Sequence, residues 1–152
     1  MNDKKVHKYL IIANIIVGFL WMAFCIVANN PLIIPWVGFA GWTSYYIVNT
    51  NIKQSLISNI IGVLIGCAII FLGQFNQGIL YNSLVTGLLT GFIIYLMKFK
   101  YTNNSAVTFI GGFSAFALNA DIKALIISFI LGNILGLVTD FIFMELLKRG
   151  NK

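Results

Sequence analysis

Residues 39–66 read FAGWTSYYIVNTNIKQSLISNIIGVLIG, and residues 109–136 read FIGGFSAFALNADIKALIISFILGNILG. When the two stretches are aligned without gaps at an offset of 70, 11 of the 28 pairs are identical. A composition this biased gives about two or three identities by chance, so the match indicates an internal repeat. Each copy contains a short glycine-rich apolar segment, a turn around an asparagine, and the first half of a long apolar segment.

Extending outward from the repeat, the chain contains four long and two short apolar segments, at about 9–29, 35–48, 54–75, 78–98, 105–118 and 122–147. Backbone polar groups in lipid must be satisfied within a segment, so all six are predicted to be helical. Asn51, Ser105 and Asp121 stand where a side chain can accept from an early helical N–H, and they are predicted N-caps. The expected fold is an all-α polytopic membrane helical bundle, a single membrane domain over 1–152, with repeats at about 9–75 and 78–147.

The composition excludes an ordinary soluble domain. Of the 152 residues, 59% are hydrophobic and only 9% are charged, whereas a soluble domain has about 25% charged residues. The mean hydropathy is +0.92. About 20 apolar residues cross a bilayer as a helix, so the chain has material for roughly six crossings and for little else.

The ten basic residues indicate an orientation rather than a nucleic-acid surface, because most lie just beyond apolar segments. If all six segments cross, nine of the ten lie on the side that holds both termini, and Lys123 is the exception. That side is predicted to be cytoplasmic. If the short segments instead dip in and return, Lys53, Lys98 and Lys100 move outside, which the positive-inside rule disfavours. Because each repeat has three crossings, an odd number, the second repeat is predicted to be inverted relative to the first.

The two short segments are the predicted solute path, because glycines permit a break or close approach, and hydroxyls and freed carbonyls can line a polar route. The alternative is that their aromatic side chains form an interfacial belt or face lipid. The candidate path residues are Gly41, Trp42, Thr43, Ser44, Thr108, Gly111, Gly112, Phe113 and Ser114.

Small residues spaced four apart mark one face of three long segments, where neighbouring helices can approach closely. They are predicted to serve helix packing or a subunit contact. The sets are Ser58, Gly62 and Gly66 on the third segment, Ser83, Gly87 and Gly91 on the fourth, and Ser128, Gly132 and Gly136 on the sixth.

Asp140 is the acid that lies well inside a long apolar segment, and intramembrane ionisable groups are costly enough to suggest a function. It is a candidate for proton coupling, or else it snorkels or pairs with Lys148 or an asparagine. Other intramembrane polar residues are predicted to hydrogen-bond between helices: Asn14, Asn59, Asn82, Thr86, Thr90 and Asn133. No nucleophile–base pair, phosphate loop or metal cluster can be assembled from the sequence, so we expect neither an enzyme nor a cofactor or metal.

The short segments carry a family resemblance, through residues 36–39 leading to Thr43 and residues 108–111 leading to residues 115–117. In these stretches the chain resembles the YcdZ-like bacterial inner-membrane family, a domain of unknown function. The resemblance implies a multi-pass protein of the bacterial cytoplasmic membrane and a channel-like or permease role, and it supplies no catalytic or binding residues.

The predicted function is a small-solute channel or permease, for a neutral or weakly polar solute because almost no fixed charge lies inside the chain. The predicted partners are the lipid bilayer, the solute and further copies of the chain in a homo-oligomer, without nucleic acid. The alternatives are a proton-coupled transporter that uses Asp140 and an accessory membrane subunit without a pore.

Overall fold

A computed structural model describes residues 3–150, and in this range the chain forms six α-helices without strands. The helices are α1 Asp3–Ala28, α2 Pro35–Ile47, α3 Ile52–Gly73, α4 Ile79–Leu96, α5 Ser105–Ala117 and α6 Ile122–Gly150. The all-helical prediction with four long and two short segments is confirmed, and most predicted boundaries lie within about three residues of the observed ones. The first helix is the main difference, since α1 begins at Asp3 rather than near residue 9.

Four helices, α1, α3, α4 and α6, are long and apolar enough to cross a membrane. The short helices have 13 residues each, which corresponds to about 20 Å of rise. The hydrocarbon core of a bilayer is about 30 Å thick. The short helices therefore reach across about two thirds of that thickness and need the residues that flank them to complete a crossing.

The turn between a short helix and the following long helix has the same geometry in both halves. Asn49 and Thr50 have φ values of 53° and 64°, and Asn119 and Ala120 have φ values of 46° and 62°. In each turn the second of these residues donates its backbone N–H across a 2.9 Å hydrogen bond to a carbonyl five residues earlier, which closes the end of the short helix. The asparagines suit this turn because they tolerate the left-handed conformation.

The predicted N-caps are confirmed at two of three positions. The Asn51 side chain accepts from the backbone N–H of Gln54, and the Asp121 side chain accepts from that of Ala124, both at 3.1 Å. The prediction for Ser105 is wrong, because Ser105 is the first residue of α5 and the residue before it, Asn104, makes no capping bond through its side chain.

The short helices pack mainly on long helices of the other half of the chain: α2 lies along α6, and α5 lies along α3. Glycine makes the close approach possible. A Cβ atom on Gly132 would overlap the carbonyl oxygen of Gly38, and one on Gly62 would overlap that of Thr108. Gly62 and Gly132 are 70 residues apart, as are Gly38 and Thr108, so the two helix pairs use equivalent contacts.

The order of contacts shows that α2 runs in the same direction as α6. The backbone N–H of Ile34, just before α2, donates to Ser128 at 2.8 Å, whereas Tyr45, near the end of α2, packs on Gly136. The same order holds for α5 along α3. Ser58 donates to the carbonyl of Tyr101 at 2.7 Å, and Ala115 lies next to Gly66.

The remaining long helices flank this assembly unequally. Along α1, Ala13, Val17 and Trp21 are buried, whereas on α4 only Ile93 is buried. Tyr9 lies next to Gly150, which brings the beginning of α1 close to the end of α6. The core is therefore formed by α2, α3, α5 and α6, with α1 covering one side and α4 attached more loosely to α3.

Candidate functional site

The glycines of the predicted path lie where the short helices touch the long ones. A Cβ atom on Gly41 would lie 2.9 Å from the carbonyl oxygen of Phe129, and one on Gly111 would overlap that of Asn59. A Cβ atom on Gly112 would lie 3.5 Å from the carbonyl oxygen of Gly62. In this structure these positions serve helix packing, and their place along a solute path stays a prediction.

The hydroxyl residues of the predicted path fall into two groups. Ser44, Thr108 and Ser114 are buried, whereas Thr43 is exposed on the outer face of α2. Phe113, the equivalent of Thr43 in the second half, is also exposed, at 67%. The predicted residues are therefore split between an inner face that contacts α3 and α6 and an outer face on which Thr43 and Phe113 are exposed.

The inner faces converge on a small set of uncharged polar side chains, which we call the central polar cluster: Ser44 of α2, Asn59 of α3, Thr108 of α5 and Asn133 of α6. All four are completely buried. The Ser44 hydroxyl donates to Oδ1 of Asn59 at 3.1 Å, and the Asn133 amide donates to the carbonyl of Phe129 in its own helix at 2.9 Å.

Backbone contacts relate the four members of the cluster to one another. Gly41, which lies one turn before Ser44, packs on Phe129 and on Gly132. Gly132 is the residue directly before Asn133. Gly111, one turn after Thr108, lies on the backbone of Asn59. Val63 and Phe129, which are the repeat equivalents of Asn133 and Asn59, belong to one buried cluster. We infer from these contacts that the four members lie in one region of the core.

Ser44 and Thr108 are predicted path residues, whereas Asn59 and Asn133 are predicted only to hydrogen-bond between helices. At the repeat offset, Asn59 is matched by Phe129 and Asn133 by Val63. The repeat therefore did not mark the asparagines. The available signal was an amide placed beside a small-residue face, since Asn59 follows Ser58 and Asn133 follows Gly132.

Of the predicted packing residues, those on α3 and α6 make close helix contacts. Gly66 lies on Gly112 and Ala115, and Gly136 lies under the ring of Tyr45. The hydroxyl of Ser128 donates to the carbonyl of Leu32 at 3.3 Å, which ties the loop before α2 to α6. In contrast, Cβ atoms on Gly87 and Gly91 of α4 would meet no atom of the described chain within 4 Å.

Asp140 is held by two tyrosines at the end of α2. Its carboxylate accepts from the hydroxyl of Tyr45 at 2.7 Å and from that of Tyr46 at 3.1 Å. Lys148 forms its 2.7 Å ion pair with Glu145 instead of Asp140. The tyrosine hydroxyls satisfy the carboxylate within the bundle and fasten α2 to α6.

A cleft of about 90 Å³ lies between α3, α4 and α5 and includes the predicted path residues Gly112 and Phe113. Thr86 and Thr90 of α4 also line it. The equivalent of Gly112 in the first half is Trp42, which is buried and stacked on Phe39 with ring centroids 5.8 Å apart. Glycine at this position leaves open the space beside α4.

The described residues contain no group of three or more histidine, cysteine or acidic side chains that could hold a metal ion. The interior of the four core helices includes an apolar cluster of Val37, Val63, Ala115, Leu125 and Phe129. Its buried polar groups are amides and hydroxyls, with Asp140 as a carboxylate near one end. Such a site can exchange hydrogen bonds with an uncharged molecule, but it has little to replace the hydration shell of an ion.

The fold and the distribution of apolar surface define a multi-pass helical membrane protein. The chain belongs to the family described as protein of unknown function (DUF1097), whose family model matches residues 12–142. Neither the curated proteins nor the solved structures contain a match to the chain.

Proposed function

We propose that the protein is a permease for a small neutral solute, built from two halves of opposite orientation. The observation that carries this proposal is the central polar cluster, which lies where each short helix packs along a long helix of the other half. Uncharged polar groups buried at the repeat interface, beside discontinuous or short helices, are typical of transporter sites. The short segments 35–48 and 105–118 remain the proposed walls of the path.

The opposite orientation of the halves is supported by the helix directions. The turn at 48–51 reverses the chain, and the Ser44–Asn59 hydrogen bond joins α2 to α3 on the two sides of that turn. Since α2 is parallel to α6 and antiparallel to α3, the equivalent helices α3 and α6 point in opposite directions. A two-fold axis in the membrane plane between these helices would relate the halves.

The charges fit the same arrangement. The contact between Tyr9 and Gly150 brings the two ends of the described chain together. Lys8 precedes Tyr9 and Arg149 precedes Gly150, so these basic residues lie at the same end of the bundle. We propose that this side faces the cytoplasm of a bacterium. The test is labelling of single cysteines at Lys53 and Lys123, in a background without Cys25 and Cys67, with an impermeant thiol reagent from outside. Labelling at Lys123 alone is expected, and equal labelling at both positions contradicts the inverted arrangement.

The close helix contacts favour a permease over a permanently open channel. Backbone atoms of α2 and α6, and of α5 and α3, touch at Gly132 and Gly62. A solute can pass the central polar cluster only if one helix pair moves relative to the other. Rocking of one inverted repeat against the other is the usual form of such motion.

The solute class follows from what lines the cluster. Amide and hydroxyl groups can accept and donate hydrogen bonds, and no charged side chain belongs to the cluster. A neutral, weakly polar molecule therefore suits it better than a strongly hydrated ion.

The direct test is osmotic swelling of proteoliposomes, with glycerol and urea as probes and empty vesicles as the control for diffusion through lipid. The proposal predicts flux above empty vesicles for at least one of these solutes. Flux equal to that of empty vesicles for every neutral solute tested would favour an accessory subunit without a pore.

A proton-coupled transporter remains the second candidate. Asp140 is a carboxylate within the apolar part of α6, and the hydroxyls of two tyrosines donate hydrogen bonds to it. The D140N variant separates the two functions. A permease for neutral solutes keeps its flux in D140N, whereas a proton-coupled transporter loses pH-driven uptake while it still binds its substrate.

We also propose that the chain forms a homo-oligomer through α4. The four-residue pattern of small residues is covered by other helices on α3 and α6, but Gly87 and Gly91 have open space in front of them. A second copy would give this face the close helix contact that the pattern provides for. The G87I variant is expected to lose the oligomer while it keeps the monomer fold, as measured by cross-linking in membranes.

A further inference from the structure

The central polar cluster is incompletely hydrogen-bonded. Within residues 3–150, five buried side-chain atoms have no hydrogen-bond partner. Three belong to the cluster, Nδ2 of Asn59, Oγ1 of Thr108 and Oδ1 of Asn133, and the other two, Nε1 of Trp42 and Oγ of Ser55, lie outside it. Each of the three cluster atoms belongs to a different core helix, and each of their residues is completely buried. Buried polar atoms in folded proteins are nearly always paired, so three unpaired ones on three neighbouring core helices require an explanation.

The unpaired atoms are complementary in chemistry. The Asn59 amide offers a donor, the Asn133 carbonyl offers an acceptor, and the Thr108 hydroxyl can act as either. The oxygen of the Asn59 amide is already bonded, since it accepts from the Ser44 hydroxyl. A molecule that binds all three atoms must therefore carry both donors and acceptors, and it must be small because the surrounding glycine contacts are close.

Packing alone does not account for these atoms. An unpaired buried amide or hydroxyl costs about 1–3 kcal/mol, and an apolar residue of the same shape would avoid that cost. At the equivalent positions the other half does carry apolar side chains, Phe129 for Asn59 and Val63 for Asn133. Phe129 and Val63 are also completely buried, so the fold accepts apolar side chains at these equivalent positions.

We propose that Asn59, Thr108 and Asn133 form the binding site for a small neutral molecule with both hydrogen-bond donors and acceptors, such as an amide or a polyol. The site deepens the proposed function, on which it rests, by naming the residues that select the solute. Charged molecules are excluded because nothing in the site compensates their charge. Apolar molecules are disfavoured because they leave all three polar atoms unpaired.

The test compares T108V and N133L with wild-type protein in the swelling assay, with glycerol and urea as probes. Each variant replaces a polar side chain by an apolar one of similar volume. Flux is expected to fall by about tenfold in each, as for the loss of one hydrogen bond in the bound state. T108S keeps the hydroxyl and is expected to keep most of the flux. The matched control is S55A, which removes a buried, unpaired hydroxyl from α3 outside the site and outside both short segments. It is expected to behave as wild type.

A second measurement follows thermal unfolding in detergent with and without glycerol. Glycerol stabilises folded proteins generally, so the informative quantity is the excess stabilisation of wild type over T108V. The site predicts a positive excess. An equal response in both proteins, together with wild-type flux in T108V and N133L, overturns the proposed site and leaves the permease standing.

Ligand binding without transport would separate the binding site from the permease function. Excess stabilisation by glycerol that T108V removes, with no flux in wild type, supports the site and refutes the permease. A reduced permeability of the variants to water, with unchanged flux of glycerol and urea, means that the three atoms bind water only and also overturns the site.

Discussion

Replacement of Gly62 by alanine tests the central feature of the fold, the contact between α3 and α5. A Cβ atom on Gly62 would overlap the carbonyl oxygen of Thr108 and lie 2.8 Å from the carbonyl carbon of that residue. It would also lie 3.0 Å from the backbone nitrogen of Gly112. All three are backbone atoms and cannot rotate away. The helices must separate by on the order of 1 Å to restore van der Waals distances.

The magnitude follows from two opposing effects. Overpacking of a core costs about 1–3 kcal/mol, and the upper value applies here because the obstacle is backbone. Alanine in a helix gains about 1 kcal/mol over glycine. G62A is therefore expected to lose about 2 kcal/mol. G87A, measured in a detergent in which the chain is monomeric, gains about 1 kcal/mol because its Cβ meets no atom of the described chain within 4 Å.

The assay is thermal unfolding in detergent, followed by intrinsic tryptophan fluorescence. For a chain of this length 1 kcal/mol corresponds to about 2–4 °C, so G62A should unfold about 9 °C below G87A. G132A is expected to behave like G62A, because Gly132 makes the equivalent contact with Gly38. If G62A unfolds at the same temperature as G87A or above it, the close contact between α3 and α5 is wrong.

Three further predictions concern the turns and the carboxylate. N51A and D121A each remove a side-chain cap and should lose about 1 kcal/mol of stability in thermal unfolding, and an unchanged midpoint would contradict the capping bonds. T50G should gain about 1 kcal/mol, since a β-branched residue at a φ of 64° is strained, and a loss would contradict this backbone geometry. Y45F should lose about 1 kcal/mol, with a coupling of similar size to D140N in a double-mutant cycle, and strictly additive effects would contradict the Tyr45–Asp140 hydrogen bond.

The helices were predictable because their limits depend on neighbouring residues. Asparagine and proline residues interrupt the apolar segments, and the left-handed turns at Asn49 and Asn119 occur at the same place in both repeats. The start of α1 was harder to predict, since residues 3–8 are polar apart from Val6 and do not continue the apolar pattern. The missing cap at Ser105 likewise depends on the conformation of the preceding loop.

The partners of the helices could not be predicted. Every segment is apolar around most of its circumference, so hydrophobicity does not distinguish the face that meets protein from the face that meets lipid. Asp140 illustrates the consequence, because Lys148 and the asparagines were the candidates in sequence, whereas Tyr45 and Tyr46 are the observed partners. These tyrosines reach the carboxylate because α2 lies parallel to α6, which no local pattern reveals.

A membrane-spanning helical protein with an internal sequence repeat could be recognised without coordinates, because these properties depend on composition, turn residues and spacing along one chain. The packing of the helices was needed to show that each short helix lies on the other half, that Gly87 and Gly91 meet no other atom of the described chain, and that Asn59, Thr108 and Asn133 each bury an unpaired polar atom. Close packing depends on the shapes of two surfaces together. A glycine permits such contact, but only the opposing backbone determines where the contact forms.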